Sequence, residues 1–324
     1  MNNPPYIGLW TRLQTFERDH LTQLMIARQI GRSALMRSTL HLFTAADYAR
    51  YWATIQPALL KGLNSFFGRS IKGLDTAPLV AAARAMFETE PRTFAEVKTA
   101  LAALAPDRDL EALAYIARTF IPLIQVPPGG VWGKGGSPLY ALASSYLGME
   151  IDTSDQLHGL FLRYLAAFGP ASVQDFQTWV GIAKLKDPIS AFKSELVAYR
   201  SEDGRELFDL PDAPLLPEDT PAPLRFVPEY DNVVIGHDDR TRVLPEAFRT
   251  RVFLSAGRVR ATILVDGFVR GAWRVERVKR AAALVIEPFA PLTADEQAAL
   301  ADEGLRLLRF IEDDAETLDV RVEV

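Results

Sequence analysis

The densest run of chemically capable side chains lies between Phe226 and Pro245, FVPEYDNVVIGHDDRTRVLP. Glu229, Asp231, Asn232, His237, Asp238, Asp239, Arg240 and Arg242 fall there within fourteen residues. Loops of this composition commonly settle their charges internally, as ion pairs and turn caps. The functional alternative is the lining of a nucleic-acid cleft, with Arg240 and Arg242 toward phosphate and Glu229 or Asp231 polarising a water. A second set sits on the hairpin-like stretch RSALMRSTLHLF, which carries Arg32, Arg37 and His41 among apolar residues. Arg37 and His41 are four apart and share one strand face, a spacing that presents two donors to a phosphate; a lone strand histidine is otherwise structural. The third is Lys134 in GGVWGKGG. That run resembles a phosphate loop only superficially, because no helix follows its lysine, and it reads instead as a wing tip with Lys134 as a phosphate contact. The fourth is the hairpin signal Asp266-Gly267 in VRATILVDGFVRGAWRVERV, where Phe268 and Arg270 are placed to probe a groove.

Other chemistries are excluded. No Ser-His-Asp spacing, kinase signature or phosphate-cradling loop is present. Without cysteine there are no disulfides, thiolate metal sites or cysteine nucleophiles. The four histidines, His20, His41, His158 and His237, show no metal-ligand spacing. No metal and no cofactor are expected.

Charge sharpens the binding reading. The net charge of −5 argues weakly against nucleic acid, but its distribution argues the other way. Residues 1–70 hold eight basic residues against three acidic ones, and residues 249–280 hold nine against Asp266 and Glu276. Screening limits remote charges to a reach of roughly 10 Å, so local positive faces on an acidic body can attract phosphate. The bland reading is that these arginines are solvated outward positions on strands.

The elements that must position these residues follow from periodicity. Glu17 to Ile30 reads as a helix, the ribbon follows, and Thr44 N-caps the long amphipathic AADYARYWATIQPALL. Helices are predicted from Thr76, after Thr93 and over Leu110 to Thr119, before the ribbon built around Pro-Pro-Gly-Gly. A third set runs through DQLHGLFLRYLAAFG, a helix capped by Ser172 and a helix over Lys184 to Tyr199, with VAYRSEDGRELFDL as its ribbon. Beyond Leu215 to Pro223, a proline-rich linker, the period changes to two, and Thr293 caps the last helix before the strand TLDVRVEV. The predicted fold is α+β: three tandem winged-helix units, the first incomplete, and a C-terminal mixed β-domain. The boundaries are 1–70, 71–150, 151–214 and 222–324. No apolar run is long enough for a membrane span and no signal peptide is evident, so a cytoplasmic protein without a membrane role is expected.

Six blocks in order, RSTLHLFTAADYARY, QVPPGGVWGKGG, RYLAAFGPASVQDFQTWVGI, PEYDNVVIGHDDRTRV, TILVDGFVRGAWRVER and VIEPFAPL, resemble the winged-helix family of AlkZ-type DNA glycosylases from about Pro4 to Phe310. The resemblance implies three winged helices around a concave basic surface for duplex DNA. It also implies metal-free hydrolysis of the N-glycosidic bond of alkylated purines, including interstrand crosslinks. The family's catalytic motif, Gln-x-Gln or Gln-x-Asp/Glu, lies just before the stretch resembling NNPPYIGLWTRL. This sequence contains no Gln-x-Gln, and Gln14, Gln23 and Gln29 do not match the motif. The expectation is that the start codon is assigned too late, with a non-catalytic form as the alternative, so the catalytic residues are unknown and the enzyme question stays open. The partner expected is duplex DNA, alkylated or crosslinked, bound by a monomer with no obligate protein partner. The competing reading is a non-catalytic winged-helix DNA-binding protein or regulator.

Overall fold

The computed structural model describes residues 4–323. The chain forms two compact units, one of residues 17–213 and one of residues 214–323 together with 4–16. The opening segment, read from sequence as the start of the first winged helix, therefore packs in the second unit. It carries helix α1 (Pro4–Trp10).

The first unit repeats a pattern of helices followed by a two-stranded antiparallel ribbon. Helix α2 (Arg18–Ile26) leads into β1 (Ile30–Ala34) and β2 (Leu40–Thr44), and the 23-residue α3 (Ala45–Phe67) follows. Next come α4 (Ala77–Thr89), α5 (Phe94–Ala102) and α6 (Leu110–Phe120), then β3 (Leu123–Val126), β4 (Leu139–Leu142) and the short α7 (Ala143–Leu147). The last set is α8 (Leu157–Phe168), α9 (Val173–Val180), α10 (Lys186–Ser190), β5 (Val197–Arg200) and β6 (Glu206–Asp209). The capping chemistry read from sequence is present. Thr44 accepts from the Asp47 amide, and Thr93 and Ser172 each form a reciprocal capping box with an acidic residue three positions on. The helix predicted over Lys184–Tyr199 is wrong. Only Lys186–Ser190 is α-helical, Lys184 adopts a left-handed φ of 63°, and Val197 already opens a strand. Apolar Phe192 and Leu196 pack against the core beside α8 and α9 instead of continuing a helix face.

The first two ribbons pack on each other. The Ser33 hydroxyl and, at 3.1 Å, the Tyr48 hydroxyl both donate to the Leu123 carbonyl. Gly31 leaves room for the ring of its cross-strand neighbour Phe43, since a Cβ there would stand 2.6 Å from that ring and 3.3 Å from Ile124 of β3. Below lies an aromatic cluster of Phe161, Tyr164, Phe176 and Trp179.

The second unit is a five-stranded mixed sheet ordered β11-β10-β9-β8-β7. Its elements after α1 are β7 (Arg225–Val227), α11 (Asn232–Ile235), α12 (Arg249–Val252), β8 (Thr262–Val265), β9 (Phe268–Val278), β10 (Ala281–Pro288), α13 (Ala294–Ile311) and β11 (Thr317–Val322). Strands β8 and β9 are joined by Asp266 and Gly267 with φ of 49° and 76°, the left-handed pair that a two-residue hairpin of matching twist requires. Strand β11 runs parallel to β10, which needs the crossover that α13 supplies. Trp10 of α1 stacks on Phe310 of α13 at 5.8 Å. Among the described residues no helix is long and apolar enough to cross a membrane.

Because Phe43 is packed against Tyr48 at 4.5 Å and must shift to admit a Cβ, Gly31→Ala should cost about 1–3 kcal/mol, read as a lower midpoint in urea unfolding. An unchanged midpoint would show that the ribbon yields.

Candidate nucleic-acid interface

In the first unit the basic ribbon residues are held by neutral groups. Arg32 donates to the Gln125 amide oxygen at 3.1 Å, and its stem lies within 3.1 Å of where a Gly130 Cβ would stand. Gln125 is itself buried. Arg37, at a left-handed φ of 54°, donates to the Trp179 carbonyl at the C-terminal end of α9, where a cation complements the helix dipole. The half-buried His41 ring places Nδ1 2.9 Å from the Thr39 carbonyl. A carbonyl only accepts, so Nδ1 carries the proton. Burial, and then the charge of Arg37, push the imidazole down to about 4, so the ring is neutral at physiological pH and Nε2 is an acceptor. As placed, His41 does not supply the second phosphate donor that its spacing suggested. Lys134 is exposed at the tip of the β3–β4 loop, between Gly133 and Gly136, both with left-handed φ. Trp132 in the same loop is covered by the Arg18 guanidinium at 4.2 Å.

Sequence reading passed over three arginines of this unit that also have neutral partners. Arg28 donates to the Tyr146 carbonyl and lies over its ring, Arg50 donates to Gln156, and Arg118 lies over Tyr115 at 4.0 Å. The partners of Arg28 and Arg50 lie more than a hundred positions away, whereas Tyr115 stands only three positions before Arg118.

In the second unit the acidic loop is divided between structure and surface. Asp231 is buried, takes both guanidinium nitrogens of Arg12 at 2.9 and 2.7 Å, and accepts the Val233 amide as the N-cap of α11. Its oxygens are committed, which removes it as a water-polarising base. Asp239 caps the turn at Thr241. Glu229 remains exposed. Arg242 donates to Nε2 of the buried His237 at 2.7 Å, which fixes His237 as a neutral ring. Arg240 lies over the Phe253 ring at 4.7 Å, and its buried Nε meets no acceptor among the described residues. Burial first, and then the charge of Arg249, hold its guanidinium below the usual arginine range, while Asp238 offsets part of this. On the β8–β9 hairpin Phe268 is 44% exposed, and Arg270 donates to the Pro291 carbonyl at 2.9 Å.

The arginine-rich stretch 249–280 proves largely neutralised. Arg251 and Arg260 share Glu287; Arg274 pairs with Glu276 and Glu323; Arg277 pairs with Glu312 and Asp314; Arg280 pairs with Glu316. Hydrogen bonds from Arg260 and then Arg251 hold the Glu287 carboxyl below the usual range.

This is an α+β protein whose basic ribbons present cations and whose β8–β9 hairpin presents the exposed Phe268. A family model described as DNA glycosylase AlkZ-like matches residues 2–310, and the chain belongs to that family. Among solved structures, the Streptomyces sahachiroi DNA glycosylase AlkZ superposes with a TM-score of 0.79, covering 99% of this chain and 89% of that one. At 20% identity what the two share is the fold. No curated protein sequence matches the chain.

The depressed His41 pKa has a signed consequence. Between the ordinary value of 6.5 and about 4 the unfolded chain binds a proton that the folded chain does not. Its contribution to stability is therefore complete above pH 6.5 and is lost as pH falls toward 4. Urea midpoints should drop over that window and His41→Gln should flatten the drop; a parallel drop in the variant would assign it to other groups.

Proposed function

We propose that the three helix-and-ribbon segments of residues 17–213 are winged helices that bind duplex DNA, and that the protein acts on alkylated or crosslinked purines by N-glycosidic hydrolysis. It is proposed to do so in the cytoplasm. Family membership supports the reaction class. The observation that carries the binding reading is Arg240: a cation held rigid over Phe253, beside a second cation, with a buried N–H and no acceptor among the described residues. Two neighbouring positive charges repel each other, Asp238 offsets only part of this, and a phosphate placed against the pair relieves the rest. Arg242 adds to the positive charge of the second unit; in the first, Lys134, Arg32 and Arg37 supply their own, with His41 a neutral acceptor near Arg37. The β8–β9 hairpin is proposed to enter a groove with Phe268 leading and Arg270 behind it.

Hydrolysis of a cationic alkylated base asks little acid catalysis of the protein, because the base is already a good leaving group. What it requires is an attacking water and stabilisation of the cationic sugar in the transition state. Asp231 is committed elsewhere, and the sequence holds no Gln-x-Gln. The commitment of Asp231 favours a second reading, DNA binding without hydrolysis.

Fluorescence anisotropy with a random duplex at increasing salt tests the binding. Affinity should fall linearly on logarithmic axes, and Arg240→Ala should weaken binding and reduce the slope by about one; Phe268→Ala should weaken binding with little change of slope. Absence of salt-dependent affinity would overturn the reading. Release of 7-methylguanine from a methylated duplex, followed by mass spectrometry, decides between the two forms: release supports the enzyme, and binding without release supports the second reading.

A further inference from the structure

Tyr230 is an exposed aromatic residue on a backbone that tyrosine rarely adopts. Its φ is 60°, and it is the only aromatic residue with positive φ among the described residues. Its side chain is 47% exposed, so core packing does not hold it there. A bulky L-residue in the left-handed region is strained, and glycine would sit there without penalty. The strain is imposed from both sides. Pro228 is buried on one side, and Asp231 on the other is fastened by Arg12 and by the Val233 amide. The chain thus fixes this position firmly and places on it a ring that is about half exposed.

The residue before it is the exposed Glu229. A carboxylate on a DNA-facing loop repels phosphate, so its presence beside a ring calls for a different ligand. The chemistry that suits an exposed π-face next to a carboxylate is a planar cation: the ring stacks on it and the carboxylate offsets its charge. We infer that Tyr230, with Glu229, recognises the positively charged ring of an N-alkylated purine and discriminates it from uncharged bases. This inference rests on the DNA-binding reading above and names the property of the lesion that the loop would sense.

The test compares three duplexes, one with 7-methylguanine stabilised against hydrolysis by a 2′-fluoro sugar, one with its uncharged isostere 7-methyl-7-deazaguanine, and one unmodified. The native protein should prefer the cationic lesion over the isostere by about tenfold. Tyr230→Gly should abolish the preference while leaving the melting temperature unchanged or raised, because it relieves the strain. Tyr230→Phe should retain the preference, and Glu229→Gln should reduce it without affecting the unmodified duplex. Equal binding of the cationic lesion and its isostere would overturn the assignment, as would a preference that survives Tyr230→Gly. Failure to bind any duplex would overturn the DNA-binding reading itself, so the two failures are distinguishable.

Discussion

The second unit depends on one interaction between residues 219 positions apart, the two-point contact of Arg12 with Asp231. Arginine's planar fork matches a carboxylate in two parallel hydrogen bonds, which fixes orientation as well as distance. The Asp231 side chain is 5% exposed and the Arg12 side chain 46%, so the carboxylate depends on this partner more than the guanidinium does. A buried carboxylate deprived of its cation is strongly destabilising. The pair joins the Trp10–Phe310 stack in holding the opening segment to the C-terminal sheet unit, while Asp231 also N-caps α11 next to the left-handed Tyr230. The same commitment that stiffens the loop withdraws Asp231 from chemistry.

Charge counts along the chain mislead unless partners are known. Residues 249–280 form the most basic stretch, yet most of their guanidiniums meet carboxylates from β9, β10, the turn after α13 and the segments flanking β11. Exposed pairs of this kind add little to stability, but they cancel the field a phosphate would sense. The arginines of the first unit that lie over aromatic rings or donate to carbonyls and amides rest on uncharged groups in those contacts, and the half-buried Arg240 does the same over Phe253. Positive surface is therefore set by neutral scaffolding around selected arginines.

Much of the fold was legible because it rests on local rules. Thr44, Thr93, Ser172 and Thr293 cap the helices their positions announced, and Asp266-Gly267 turns the hairpin that alternation required. Lys184–Tyr199 failed because Phe192 and Leu196 answer to tertiary packing, which overrides helical periodicity in a short segment. The candidate site was legible in composition only. Sequence spacing put Arg37 and His41 on one strand, but the Thr39 carbonyl decides the ring's proton, and the Trp179 carbonyl decides where the guanidinium goes. Arg12 and Tyr230 left no signal, since a residue's partner across two hundred positions, or its φ, is not written in its neighbours.

The central claim is that duplex DNA is held by the loops of the basic ribbons and by the 228–245 segment. Hydrogen–deuterium exchange followed by mass spectrometry, with and without a 20-base-pair duplex, addresses it directly. The account predicts slowed exchange in 127–138 and 228–245, with α13 and β11 unchanged. Protection confined to α13 and β11, or no protection anywhere under saturating duplex, would contradict it.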